Sequence, residues 1–341
     1  MNNTPTNQLF ILLTDVCALD CEFCFYKDIR QTDKIEVDRG NAEASLTALI
    51  NGADQIGLSG HGEPLLNMEG LLRILRLSSG KRFILTTSGS FRPERLQKII
   101  ADINAACHDS SSECLIRLSF DPYHAKAVRY DNFENLLRWF MNGNEWSNCS
   151  LFFRSNIPDE QFVAERFQTV CSENGWELKW EQKEQFTQTA IVENHRFDVV
   201  YRPIVNPGDI GVHNSYSIFE YMKIVSDLSG ADLTLGYRED KSNKGLDITI
   251  NPDGKAYFYG AELSSLGNIY DDRLTYDLLN KRLDDDSIYE VLRSRPLKEI
   301  FKILSQDPQF EQSIIETNYP YWVIRTLNEI DASKLRRLLT A

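Results

Sequence analysis

No apolar run in this chain of 341 residues approaches the roughly 20 residues that a membrane-spanning helix requires. The first residues, Met-Asn-Asn-Thr-Pro-Thr-Asn, also lack the charged-then-apolar pattern of a secretory signal, so a cytoplasmic, membrane-free protein is expected. Positive charge is short: 37 Lys and Arg face 50 Asp and Glu, a net charge of -13 that disfavours a phosphate-tracking surface and makes nucleic acid an unlikely partner. The one basic run, Lys334-Leu-Arg-Arg-Leu-Leu339, reads as the solvated side of a terminal helix with cations near its C-terminus. Low-complexity segments are absent. Cysteines number seven, an odd total in a chain without a secretory signal, which argues against disulfides, and none follows Cys171. The hydrophobic content of 42% is that of an ordinary core, enough for one large domain with an appended region or for two modest ones.

What is present begins with three of those cysteines. Cys17, Cys21 and Cys24 lie in Leu13-Thr-Asp-Val-Cys-Ala-Leu-Asp-Cys-Glu-Phe-Cys-Phe-Tyr26, directly after a strand-like apolar stretch from Leu9 to Leu13. Three thiolates cannot close a four-coordinate metal site, so such a cradle leaves a position for a substrate or cofactor. Structural zinc would want a fourth Cys or His nearby, and the next is His61, far along the chain. Packing as small hydrophobes is the remaining reading, because positions i, i+4 and i+7 share one face of a helix.

A second motif, Ile56-Gly-Leu-Ser-Gly-His-Gly-Glu-Pro-Leu-Leu66, sets a short apolar strand before Gly60, His61, Gly62, Glu63 and Pro64. Glycines let backbone approach a ligand, proline stiffens the exit, and a glutamate there offers an acceptor to an ammonium group. Alone, such a segment is an ordinary loop more often than a site.

Together the two motifs resemble the radical S-adenosylmethionine (radical SAM) superfamily. The spacing Cys-x3-Cys-x2-Cys, with Phe23 before the last cysteine, is similar to its cluster-binding signature, and Gly60 to Pro64 to its Gly-Gly-Glu-Pro loop, with His61 where a glycine is usual. The resemblance implies that Cys17, Cys21 and Cys24 hold three irons of one 4Fe-4S cluster. The fourth iron would bind S-adenosylmethionine, whose reductive cleavage yields methionine and a 5'-deoxyadenosyl radical that abstracts hydrogen from a substrate. It also implies an electron donor such as a flavodoxin or ferredoxin.

The first 180 or so residues alternate strand-like and helix-like segments every 30 to 35 residues, the rhythm of βα units on a parallel sheet. Strands are expected near 8 to 14, 55 to 58, 82 to 87, 114 to 119, 149 to 154 and 177 to 180, with helices over Val37 to Ile50, Met68 to Leu77, Pro93 to Ala106, Tyr130 to Met141 and Glu160 to Glu173. Six units predict an α/β fold of the partial (β/α)6 TIM-type barrel kind, a core over 1 to 185. In such folds sites form at the C-terminal ends of strands. The third strand ends in Leu85-Thr-Thr-Ser-Gly89, which resembles a Thr-Thr-Asn-Gly segment of the superfamily with Ser88 in place of the amide. The fourth ends in Arg117-Leu-Ser-Phe-Asp-Pro-Tyr-His124 and the fifth in Phe152-Phe-Arg-Ser-Asn156. The resemblance assigns Gly62, Glu63, Ser88, Ser119 and Arg154 to the cofactor, with the Arg154 fork suited to a carboxylate, and Phe23, Phe25 and Tyr26 to its adenine; the alternatives are a cap for Ser119, a structural ion pair for Arg154 and loop anchoring for the three aromatics. Asp121 and His124 are candidates for proton handling or substrate contact, or alternatively for capping. Cys107, Cys114, Cys149 and Cys171 read as packing residues.

From 186 to 341 an extension is expected. Leu246-Asp-Ile-Thr-Ile-Asn-Pro-Asp-Gly-Lys-Ala-Tyr-Phe-Tyr259 predicts a hairpin around a Pro-Asp-Gly turn, within 246 to 270, followed by helices. With Leu266-Gly-Asn-Ile269 it resembles the SPASM or twitch region of peptide-modifying relatives. Tyr259 stands where those carry a cysteine, so the extension is expected to hold no cluster. Aspartates 284 to 286 read as a helix cap. The resemblance favours modification of a peptide or protein, with a small metabolite such as a sugar or amino acid as the alternative; no leader-binding domain is expected ahead of the barrel. A non-catalytic metal-binding or regulatory protein is the reading from another class.

Overall fold

The computed structural model describes all residues except 1–6, 22–23, 25, 27–31, 143–145, 185, 204, 206–215, 230–231, 236–244, 318 and 341. Among the described residues eleven strands form: β1 (Gln8–Leu12), β2 (Gln55–Ser59), β3 (Arg82–Thr87), β4 (Glu113–Ser119), β5 (Cys149–Asn156), β6 (Leu178–Glu184), β7 (Thr187–Val192), β8 (His195–Arg202), β9 (Asp247–Ile250), β10 (Lys255–Phe258) and β11 (Gly267–Asn268). The chain is a mixed α/β protein that divides into two compact units, residues 1–11, 36–56 and 204–341 in one and 12–35 and 57–203 in the other. No helix of the described residues is long and apolar enough to cross a membrane.

In the unit of 12–35 and 57–203, strands run in the order β2-β3-β4-β5-β8-β7-β6. β3, β4, β5 and β8 are parallel neighbours, while β7 is antiparallel to β8 and β6 antiparallel to β7. The crossovers from β3 to β4 and from β5 onward use helices Pro93–Asp109 and Glu160–Asn174, each beginning close to its expected residue. Alternation in the strands explains the layering. Phe83, Leu85 and Thr87 of β3, Cys114, Ile116 and Leu118 of β4, and Leu151, Phe153 and Ser155 of β5 are buried, and the residues between them are half-buried or exposed. The buried face meets an aromatic core in which Phe153 and Phe167 have ring centroids 5.3 Å apart and Phe120 stacks on Phe133 at 4.4 Å.

One expectation is corrected here. The segment at 177 to 180 does not continue the parallel series, because it belongs to β6 at the far edge, and β8 takes the place beside β5. No helix separates β6, β7 and β8, and short links between neighbouring strands force antiparallel pairing.

In the other unit, β1 pairs in parallel with β9, and β9 and β10 make the expected hairpin, with Ala256 opposite Ile250. Gly254, at φ +85°, supplies the left-handed residue of the Pro-Asp-Gly turn and donates its N–H to the Asn251 carbonyl at 2.8 Å. β11 adds to β10. The first helix spans Ala42–Gly52 rather than starting at Val37. Beyond the hairpin the chain is helical, through Tyr276–Asp284, Ser287–Ser294, Leu297–Leu304, Pro308–Ile315 and Val323–Thr340. Asp286 caps the second of these by accepting from the Ile288 N–H, as the aspartate run indicates. The basic run near the C-terminus is more engaged than a merely solvated face, since Arg336 clasps Asp286 with two contacts of 2.8 Å and Lys334 meets Asp307 at 3.0 Å.

Candidate functional site

The described candidate site residues fall in the unit of 12–35 and 57–203; the three cysteines lie between Leu12 and Ile35, and the others at or near the C-terminal ends of β2, β3, β4 and β5. The cysteine loop and the Gly60 to Pro64 loop, more than 30 residues apart in sequence, run side by side. The Gly62 N–H donates to the Thr14 carbonyl at 2.9 Å and the Glu63 N–H to the Val16 carbonyl at 2.8 Å. Here Gly62 owes its identity to the chain itself: a Cβ would sit 2.1 Å from the Val16 carbonyl oxygen. Asn67 completes the join by donating to the carbonyls of Leu13 and Ile35, both at 3.0 Å.

Within the cysteine loop Cys21 is buried and Cys17 and Cys24 are half-buried. A turn brings the Cys24 N–H to the Cys21 carbonyl at 3.1 Å, and the Leu19 N–H points at the Cys17 sulfur at 3.4 Å. None of the seven cysteines is in a disulfide. Among the described residues no group of three or more His, Cys, Asp or Glu converges to hold a metal ion. In an iron-sulfur cluster the three thiolates would bind separate irons of one inorganic core. A set of soft thiolates from one loop is the donor chemistry such a cluster takes. Phe23 and Phe25 lie outside the described residues.

Glu63 is buried and its carboxylate is saturated. Oε1 accepts from the Thr87 hydroxyl at 2.7 Å and the Leu65 N–H at 3.2 Å, and Oε2 accepts from the Ser88 hydroxyl at 2.7 Å and the Ser88 N–H at 2.9 Å. Four donors fill the lone-pair directions of a carboxylate, so the glutamate ties the end of β3 to the short turn at Pro64–Leu66. The two hydroxyls are rotors. Turning them away would open the carboxylate to an ammonium group while both backbone bonds stay in place.

Ser119 and Arg154 are register partners on β4 and β5, on the face away from the aromatic core, with Ser119 half-buried and the Arg154 side chain exposed. Among the described residues Arg154 has no ion-pair partner. Asp121 caps helix Pro122–Ala127, with Oδ1 accepting from the N–H groups of Tyr123 and His124, and its other oxygen accepts from His124 Nδ1 at 2.7 Å. The capping reading therefore holds for Asp121, and its contact with Nδ1 leaves Nε2 as the imidazole nitrogen not engaged by that carboxylate. Ser88, Ser119, Asp121 and His124 line a cavity of about 30 Å³, room for about two water molecules and far too small for a nucleoside.

Two features had no separate signal in the sequence. Asp159 lies close enough to Asp121 for their charges to interact; burial raises the Asp159 carboxyl, the hydrogen bond from Asn156 opposes this, and the Asp121 charge adds to it. His61 donates from Nδ1 to Asp15 at 2.8 Å and stacks on Tyr26, ring centroids 4.2 Å apart. Tyr26 thus packs on an imidazole.

No family model matches the chain, and no curated protein matches it. Among solved structures, a histidine-tagged anSMEcpe with bound AdoMet aligns with a TM-score of 0.49 and 16% identity, covering 98% of this chain and 98% of that one.

Proposed function

We propose that the protein is a radical SAM enzyme built on a partial barrel, in which Cys17, Cys21 and Cys24 hold one 4Fe-4S cluster and the strand ends around Glu63, Ser88, Ser119 and Arg154 hold S-adenosylmethionine. The observation that carries this reading is the pairing of the two loops through Thr14, Val16, Gly62 and Glu63. It brings the three-cysteine loop against the loop that carries Glu63, whose carboxylate meets the hydroxyls of Thr87 and Ser88 at the end of β3, a donor set suited to an amino-acid headgroup. The chemistry that such a cluster supplies when bound is one-electron reduction of the sulfonium.

The chain's own share is placement. Arg154 offers a two-pronged donor for a carboxylate, Ser119 beside it offers a hydroxyl, and Glu63 offers an acceptor for an ammonium once Ser88 or Thr87 rotates. The Asp121–His124 pair stands at the end of β4 as a proton carrier, its imidazole oriented through Nδ1. The substrate class we favour is a peptide or protein side chain or backbone, on the likeness of the 246 to 270 hairpin to peptide-modifying enzymes, with a small metabolite as the alternative. The electron donor would be a flavodoxin or ferredoxin, and the setting a reducing cytoplasm.

The test is anaerobic reconstitution with iron and sulfide. Four irons and four sulfides per chain, a paramagnetic signal that changes on adding S-adenosylmethionine, and release of methionine and 5'-deoxyadenosine on reduction are expected. One zinc per chain with no acid-labile sulfide would overturn the reading. Product formation with candidate peptides set against candidate sugars and amino acids separates the two substrate classes.

A further inference from the structure

We infer that His61 is a positioning residue that ties together Asp15 and Tyr26, on either side of Cys17, Cys21 and Cys24, before any cofactor arrives. The inference rests on the reading above only for its purpose, not for its geometry. His61 occupies the middle of the Gly60 to Pro64 loop, and its side chain reaches both ends of the cysteine segment. At one end Nδ1 donates to Asp15 at 2.8 Å, two residues before Cys17, and both side chains are less than a tenth exposed. At the other end the imidazole lies on Tyr26, two residues after Cys24, with the rings 28° from parallel. Beneath these side-chain contacts run the backbone bonds Gly62 to Thr14 and Glu63 to Val16. A loop that must present three thiols gains from being ordered in advance, since the entropy of fixing it is then met by folding and not by ligand binding. Glycine at position 61 would keep the backbone bonds and lose both side-chain contacts.

A buried, charge-assisted hydrogen bond and a ring stack set the opening equilibrium of the segment they hold, and the buried thiol of Cys21 reports that opening. The experiment is pulsed alkylation of the metal-free full chain with iodoacetamide under anaerobic conditions, read residue by residue by mass spectrometry. Cys107 and Cys114, fully buried, serve as internal controls for global unfolding. In His61→Gly, Cys21 should label about tenfold faster or more while Cys107 and Cys114 keep their rates. His61→Asn, which retains an N–H directed at Asp15, should recover part of the protection.

Unchanged Cys21 labelling in His61→Gly overturns the inference. So does a rise shared equally by Cys107 and Cys114, or an Asn variant as open as the Gly variant. A second readout is the retention of iron and sulfide after reconstitution, which should fall in His61→Gly and recover in His61→Asn. If the wild-type chain takes up no cluster while Cys21 behaves as described, the proposed function fails and the His61 tie stands.

Discussion

Replacing Glu63 by Gln tests the most densely bonded group at the site. The carboxylate accepts from two hydroxyls and two backbone N–H groups. An amide keeps one acceptor oxygen and puts an NH2 group where the other oxygen stood. With the NH2 at Oε1 it faces the Leu65 N–H; at Oε2 it faces the Ser88 N–H. The hydroxyls of Thr87 and Ser88 can rotate to become acceptors, but a backbone N–H cannot, so either orientation strands one buried donor. That costs about 1–3 kcal/mol, and the surviving bonds lose their ionic assistance. A net loss of about 2–3 kcal/mol should lower the melting transition by roughly 3–4 °C, because an unfolding entropy of about 2.1 cal/mol/K per residue gives a chain of 341 residues about 1.4 °C per kcal/mol. Calorimetry of the metal-free protein at pH 7 reads this directly, and Glu63→Ala, which strands all four donors, should melt lower still. A Gln variant melting within about 1 °C of the wild type would refute the saturated-carboxylate account, because the same bonds set the expected shift.

Other consequences are open to measurement. Gly62→Ala drives a Cβ to within 2.1 Å of the Val16 carbonyl, so the two loop-pairing bonds should break at a cost of about 2 kcal/mol, seen as a lower urea midpoint and poor iron uptake. Asp159 has its carboxyl raised in the folded state, chiefly by burial. The native chain therefore holds that proton to higher pH than the unfolded chain does, and stability declines as pH climbs from the ordinary carboxylate value through the raised one. Asp159→Asn should remove that decline and be the more stable form at pH 7 in denaturant titrations. Asp286 is shifted the opposite way, held low by its hydrogen bonds from Arg336. Its contribution is present above the ordinary carboxylate value and fades as pH falls through the depressed one. Because both partners are substantially solvated, Arg336→Ala should cost no more than about 1 kcal/mol at pH 7 and flatten that acid limb.

Much of the parallel core was legible because each strand carries a clean period-two pattern bounded by turn residues. Arg82–Thr87 fell where expected, and β4 and β5 differed only at their ends. The hairpin at β9 and β10 was legible through Pro-Asp-Gly. β7 and β8 were missed because their turn is made by Glu193 and Asn194, at φ +48° and +76°, with no glycine to announce it. The alternation of Phe197, Val199 and Tyr201 could have revealed β8. At the site, the motifs identified Cys17, Cys21, Cys24 and Glu63 as residue types, but not who bonds to whom. That Glu63 would be claimed by Thr87 and Ser88, and His61 by Asp15, depends on which strand ends meet, which spacing along the chain does not encode.

The hairpin of β6 and β7 ends the sheet with an outermost strand, Leu178–Glu184, whose residues are mostly exposed. Its side chains include Lys179, Glu181, Lys183 and Glu184, with Lys183 joined to Asp198 and Glu181 to Arg196 across the ribbon. An open row of peptide groups invites another molecule to zip on. Here any arriving strand would have to strip water from a fence of alternating ions, so the row stays solvated and growth by strand addition stops at this margin.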